Sequence, residues 1–209
     1  MCANQRSKET MINEGQNKSR KELPILAFES GAKLRIWLAK NHEESNGIWL
    51  RIFKKYSGQK TVTYDEALDV ALCYGWIDGL KNKYDDESWL QKFSPRRPKS
   101  LWSKRNTEHA ERLIKSGEMK PAGFCEIEAA KKDGRWEHAY DSPGKMTVPE
   151  DFLNVLAKNR KAKEFYDTLN KVNIYSITWR LQTAKNPETK EKRMKVILEM
   201  LEQQKKFHE

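Results

Sequence analysis

The sequence predicts an α+β protein: a small mixed or antiparallel sheet with helices in the N-terminal part, and helices alone in the C-terminal part. Two observations carry that expectation. The segments with strand composition all fall between residues 25 and 93, and from residue 145 onward every apolar stripe has the spacing of a helix. The domains expected from this are a polar tail over 1–22, an α+β domain over 23–143, and a helical domain over 144–209.

The elements follow in chain order. Residues 1–22 are rich in Asn, Gln, Ser, Lys and Glu and have almost nothing to bury, so they predict a disordered tail. Ile25 to Phe28 is a short strand. Ser30 suits an N-cap, and Leu34, Trp37 and Leu38 form the stripe of a helix ending near Asn41. Ile48 to Tyr56 is apolar on both faces, as an inner strand requires. Thr63 and Glu66 have the spacing of a capping box ahead of Ala67, Leu68, Ala71 and Leu72, and Gly75 is placed to end that helix. Trp76 to Tyr84 and Glu87 to Phe93 then form a hairpin about Asp85-Asp86, closed off by Pro95 and Pro98.

A helix follows, capped by Ser103 or Asn106, with Ala110, Leu113 and Ile114 inward. Pro121 sits in the first turn of the next, which runs to about Gly134. The stretch Asp141 to Lys145 is the expected joint. Thr147 and Glu150 suggest a second capping box, before Phe152, Val155 and Leu156. Phe165 and Leu169 mark another helix, as do Ile174, Ile177, Thr178 and Leu181. Asn186-Pro187 opens the last, with Met194, Ile197, Leu198 and Leu201 as its buried stripe.

Composition bounds the partners. The chain has 209 residues, 33% of them charged, and a formal net charge of +10, which favours polyanions over cations. Lys and Glu alternate along most helices, so the charge also serves as a solvated surface. No stretch approaches the roughly 20 apolar residues of a membrane span. The polar N-terminus has no apolar signal region, and a cytoplasmic location is expected. Cys2, Cys73 and Cys125 are odd in number and widely spaced, which predicts reduced thiols.

No Gly-rich phosphate loop, nucleophile elbow or Cys-x-x-Cys occurs, and the four histidines have no ligand spacing. Neither a metal nor a cofactor is expected. The segment from Phe93 to Asn106 groups Arg96, Arg97, Lys99, Lys104 and Arg105 around Trp102 within a frame of two prolines. Arginine forks suit phosphate or carboxylate, and an indole offers a stacking face. The competing reading is a basic surface loop with Trp102 in the core. In the strand, Trp76 and Asp78 share a face, and an acid beside a large aromatic suits proton transfer. Asp78 could instead pair with an arginine or sit at a bulge made by Gly79. The candidate ligand-binding set is therefore Trp76, Asp78, Arg96, Arg97, Trp102, Lys104 and Asn106, with Asp78 the weak catalytic candidate. The expected ligand is an anionic small molecule. An enzyme using Asp78 as general acid or base, and a nucleic-acid binder, are the alternatives.

Three motifs, Tyr74 to Gly79, Phe93 to Asn106 and Trp179 to Lys190, resemble the YdeI/OmpD-associated family, also labelled bacteriocin-protection. The similarity runs from about Phe28 to about Leu201, with Lys190 where the family pattern has Arg. The resemblance implies a role in tolerance of cationic antimicrobial peptides, together with an outer-membrane porin. It implies no catalytic residue or cofactor. A protein of charge +10 repels cationic peptides, so protection by direct sequestration is not expected.

Overall fold

A computed structural model of the protein describes residues 22–141, 146–184 and 186–209. The expected tail, apart from Glu22, lies outside the described residues, as does the expected joint apart from Asp141. The fold is α+β. The described residues divide into two compact units, one of residues 22–100 and 106–137, the other of 101–105, 138–141, 146–184 and 186–209.

The first unit is built on a four-stranded mixed sheet. The strands are β1 (Ile25–Ala27), β2 (Ile48–Phe53), β3 (Trp76–Lys83) and β4 (Ser88–Pro95), in the order β1-β2-β4-β3. β1 runs parallel to β2, and the other two pairings are antiparallel. β2 is an inner strand, as its two apolar faces predict. Ile48, Leu50 and Ile52 are buried on one face, while Trp49, Arg51 and Phe53 are half-buried on the other.

Helix α1 (Gly31–Asn41) is capped by Ser30, which accepts from the Lys33 N–H at 3.4 Å, and α2 (Tyr64–Cys73) by the expected Thr63–Glu66 box. Leu34 and Leu38 of α1 and Leu68, Ala71 and Leu72 of α2 are buried. Trp37 meets the edge of Trp76 at 6.1 Å between ring centroids. Gly75 ends α2 at φ +71, a left-handed conformation that a Cβ disfavours. Helices α3 (Lys104–Lys115) and α4 (Pro121–Lys132) follow, with Pro121 at the start of α4 as predicted. Cys73 is a free, buried thiol raised in pKa by burial, against the opposing pull of Arg35. Cys125 departs from the expectation of reduced thiols, because it is disulfide-bonded. Spacing along the chain does not fix which thiols meet in space.

The second unit contains α5 (Glu150–Ala157), α6 (Arg160–Tyr166), α7 (Lys171–Gln182) and α8 (Pro187–Glu202). Phe152, Leu156, Ala162, Tyr166, Ile177, Leu181, Ile197 and Leu201 form its core. The predicted box at Thr147–Glu150 does not form. Pro149 is the N-cap of α5 and offers no side-chain bond, and Glu150 is the first helical residue. A proline disfavours helical backbone at the residue before it, so Val148 cannot open the helix that a cap at Thr147 would need. Asn159, Asn170 and Asn186 cap the other three helices through their side chains. Among the described residues, no helix is long and apolar enough to cross a membrane.

Candidate functional site

The hairpin β3–β4 organises the first unit's polar groups. Its turn is held by Asp85, whose Oδ1 accepts from the backbone N–H of Glu87 (3.0 Å) and Ser88 (2.6 Å) and from the Ser88 hydroxyl (2.7 Å). Those bonds, the Ser88 hydroxyl first, hold the Asp85 carboxyl below the usual range. Arg51, on the neighbouring strand, donates to Ser88 Oγ at 2.9 Å and to Asp85 Oδ2 at 2.7 Å, and its guanidinium lies over Phe53 and Tyr84. Asp-Asp thus makes the turn because one carboxylate can satisfy two successive N–H groups.

A bulge in β3 decides which side chains share a face. Before it, Trp76 stands opposite Pro95 and Asp78 opposite Phe93. After it, Lys81 stands opposite Gln91 and Lys83 opposite Trp89. Side chains directly opposite one another in an antiparallel pair point to the same side. Without the extra residue, strand alternation would send Lys81 and Lys83 to the side away from Asp78. With it, Trp76, Asp78, Lys81 and Lys83 line up with Phe93, Gln91 and Trp89. Gln91, buried in this row, donates to the Gly79 carbonyl at 2.9 Å and fixes the bulge.

Helix α2 covers the Trp76 end of this row. Trp76 is sealed in the core and donates its indole N–H to the His42 carbonyl at 3.1 Å. Asp78 is partly buried and accepts from the Tyr64 hydroxyl at 2.8 Å, and the Tyr64 ring lies 6.3 Å from that of Trp89. Past the start of α2 the row opens into a hollow of about 360 Å³ lined by Lys54, Lys81, Asn82, Lys83, Ser88 and Trp89. The Lys81 ammonium lies 4.3 Å from the Trp89 ring centroid, a cation–π contact. Lys54 donates to the Asp86 carbonyl at 2.8 Å, and Lys83 stands 3.5 Å from the exposed Asp86 carboxylate. Lys54, Lys81 and Lys83 line this hollow, next to a turn that carries the Asp86 carboxylate and the Asp85 carboxylate already paired with Arg51.

The Pro-framed loop is divided between the units. Arg96 belongs to the first. It is buried, and its backbone N–H donates to the Gly75 carbonyl at 3.0 Å. Its charge acts on Glu126 of α4, a carboxyl that burial pushes up and that Arg96 and Arg135 pull back. Arg97 is exposed, and Asn106 is buried in the same unit. Trp102 and Lys104 belong to the second unit. There Trp102 is buried, Tyr140 pairs with the chain through N–H to the Trp102 carbonyl (3.0 Å), and the Lys104 ammonium meets Asp141 at 2.8 Å.

A second polar cluster, absent from the sequence-based expectations, joins α2 to α3. Asp69 accepts from both Arg112 (2.6 and 2.7 Å) and His109 (2.6 Å). Asp69 and His109 lie some 40 residues apart in the chain, and no spacing rule couples them. None of the six residues that line the hollow is among the sequence-based candidates. The signal available was Gly79 in a strand pattern, which marks a bulge and therefore a change of face.

Two family models match the chain. Residues 26–126, which hold the sheet apart from Ile25, match a domain of unknown function (DUF8412). Residues 145–204, which hold helices α5 to α8, match the family described as bacteriocin-protection, YdeI or OmpD-associated. No curated protein and no solved structure matches.

Proposed function

We propose that the protein, whose residues 145–204 match the bacteriocin-protection, YdeI or OmpD-associated family model, binds an anionic ligand, phosphorylated or carboxylate, on the hairpin face of its first unit. The observation that supports this reading is the bulge that turns Lys81 and Lys83 toward Trp89, beside Lys54, in a hollow of about 360 Å³. A hollow of that volume has the size of a small-molecule site. Clustered ammonium groups raise the local concentration of anions, and the net charge of +10 adds a steering field of the same sign. Lys81 already occupies one face of the Trp89 indole. The reading therefore favours a compact polyanion over a ligand that needs an open ring for stacking. Any protection from cationic peptides would then be indirect, exerted through the anion bound.

The test is thermal stability of the full chain in sodium phosphate, pyrophosphate and tripolyphosphate, against sodium chloride of matched ionic strength. Stabilisation should rise with ligand charge and be lost in a Lys81→Ala, Lys83→Ala double variant. Arg97→Ala, on the Pro-framed loop, should retain it. Loss with Arg97→Ala instead would move the site to the loop. No stabilisation of the wild type by any of the three anions removes the proposal.

A further inference from the structure

β3 is the last strand of the sheet, and among the described residues no strand pairs with its outer side. Gly79, Leu80, Lys81, Asn82 and Lys83 are all exposed. A strand in that position presents a row of unpaired N–H and C=O groups, ready to pair with another chain. Here the edge borders the hollow. Lys81 and Lys83 rise from the edge strand itself, Trp89 from its neighbour β4, and Lys54 from the residue after β2. The bulge sets where regular pairing begins. Gly79 and Leu80 together stand against Lys92 on β4, so the strand bends there and resumes at Lys81. Leu80 is 68% exposed at the bend and offers an apolar contact to the end of an incoming strand.

Two features select the occupant. The first is pairing chemistry. The edge offers donors and acceptors in alternation, so a chain that satisfies it must carry both. An extended peptide does, whereas a phosphodiester backbone supplies acceptors only. The second is charge. A strand added beside β3 sets alternate residues directly opposite Lys81 and Lys83, on the side of the sheet that holds Trp89. Antiparallel pairing with a second copy about Asn82 would place Lys81 of each chain against Lys83 of the other. Like charges directly opposite are unfavourable, so lysines at an edge act against self-association. Carboxylates at the same two positions are favourable. The nearest acid to the Lys83 ammonium is Asp86, at 3.5 Å and with its side chain 97% exposed, a solvent-screened pair that an incoming carboxylate can replace.

We propose that the β3 edge is a docking strand for an acidic extended segment of a partner protein, which pairs with it through the main chain and sets carboxylates at alternate residues against Lys81 and Lys83. The inference rests on the anion reading of the hollow, and it makes a side-chain carboxylate carried on a peptide the anion that enters there.

The probe is a fluorescein-labelled peptide, Thr-Val-Glu-Val-Glu-Val-Thr, read by fluorescence anisotropy on the full chain at fixed ionic strength. The wild type should bind it roughly tenfold more tightly than the same peptide with Lys in place of Glu. Lys81→Glu combined with Lys83→Glu should reverse that order. Lys83→Glu alone, at a side chain that is 79% exposed, should cut the preference roughly threefold and serves if the double variant loses its native circular dichroism. A peptide N-methylated at every residue keeps its carboxylates but cannot donate to the edge, and should bind roughly tenfold more weakly. Equal binding of the N-methylated peptide would reduce the contact to charge attraction and overturn the proposal, as would tighter binding of a thymidine oligonucleotide of the same length. Self-association of the wild type that the double variant loses would give the edge to a second copy, with the same consequence. A chain that tripolyphosphate stabilises but that does not bind the acidic peptide keeps the anion reading and loses this one, and a chain that responds to neither loses both.

Discussion

Gly123→Ala tests the junction on which the first unit's sheet and helices converge. Gly123 lies in the first turn of α4, against the C-terminal end of α2. A Cβ built there would stand 2.6 Å from both the Leu72 and Cys73 carbonyl oxygens and 2.4 Å from Met119 Sδ. The methionine is a flexible end and can swing away. The two carbonyls cannot, because Leu72 O accepts from the Gly75 N–H (3.1 Å) and Cys73 O from the Lys120 N–H (3.2 Å). Real Cβ contacts essentially never fall under 3.0 Å, so the helices must separate by at least about 0.4 Å. Overpacking of this kind costs about 1–3 kcal/mol. Alanine's better helix propensity returns up to about 1 kcal/mol in a helix interior, and less in the first turn. The expected net loss is about 1–2 kcal/mol. In urea, followed by far-ultraviolet circular dichroism, the midpoint should fall by roughly 0.5–1 M at an unchanged slope. An equal or higher midpoint would show that the α2–α4 approach is soft and that a glycine is not required there.

Two further outcomes follow from the polar groups of the same unit. Glu126 has its carboxyl pushed up by burial, against the attraction of Arg96 and Arg135, so the folded state prefers the protonated form. That contribution is fully present below the ordinary value of 4.5 and is lost as pH rises through the raised one. Glu126→Gln should therefore gain in Tm relative to the wild type between pH 4 and pH 7, and a gap constant across that range would contradict the assignment. Asp69→Ala removes the acceptor shared by His109 and Arg112. Water can re-solvate the half-exposed Arg112, but the His109 side chain is largely enclosed, so a loss of about 1–2 kcal/mol is expected. Urea unfolding measures it, and a change within experimental error would show the cluster to be a surface ion pair of no consequence.

Local chemistry was legible. Ser30, Thr63 with Glu66, Asn186 with Pro187, and Pro121 each announced a helix start, because capping needs only a few adjacent residues. The Asp85-Asp86 turn and the inner-strand character of β2 were readable for the same reason. The box at Thr147 failed on a neighbour effect two residues along, since Pro149 forbids the backbone that the spacing implied. The candidate site was legible only in part. Trp76 and Asp78 do share a face, but Trp76 is sealed by α1 and α2, and burial of that kind depends on which helix lies across the strand.

By itself, then, the sequence determined the α+β class, the caps and turns, the excess of positive charge and the family likeness of residues 145–204, where of the three motifs only Trp179 to Lys190 falls, all of which rest on residues close together in the chain. Tertiary structure alone decided the rest. It chose which side of the sheet Lys81 and Lys83 occupy, because one bulged residue inverts a two-residue alternation. It also joined Asp69 to His109, and Asn173 to Phe207, because pairs 40 and 34 residues apart meet only where helices and returning segments pack. Periodicity fixes what each segment is, and packing fixes what it faces.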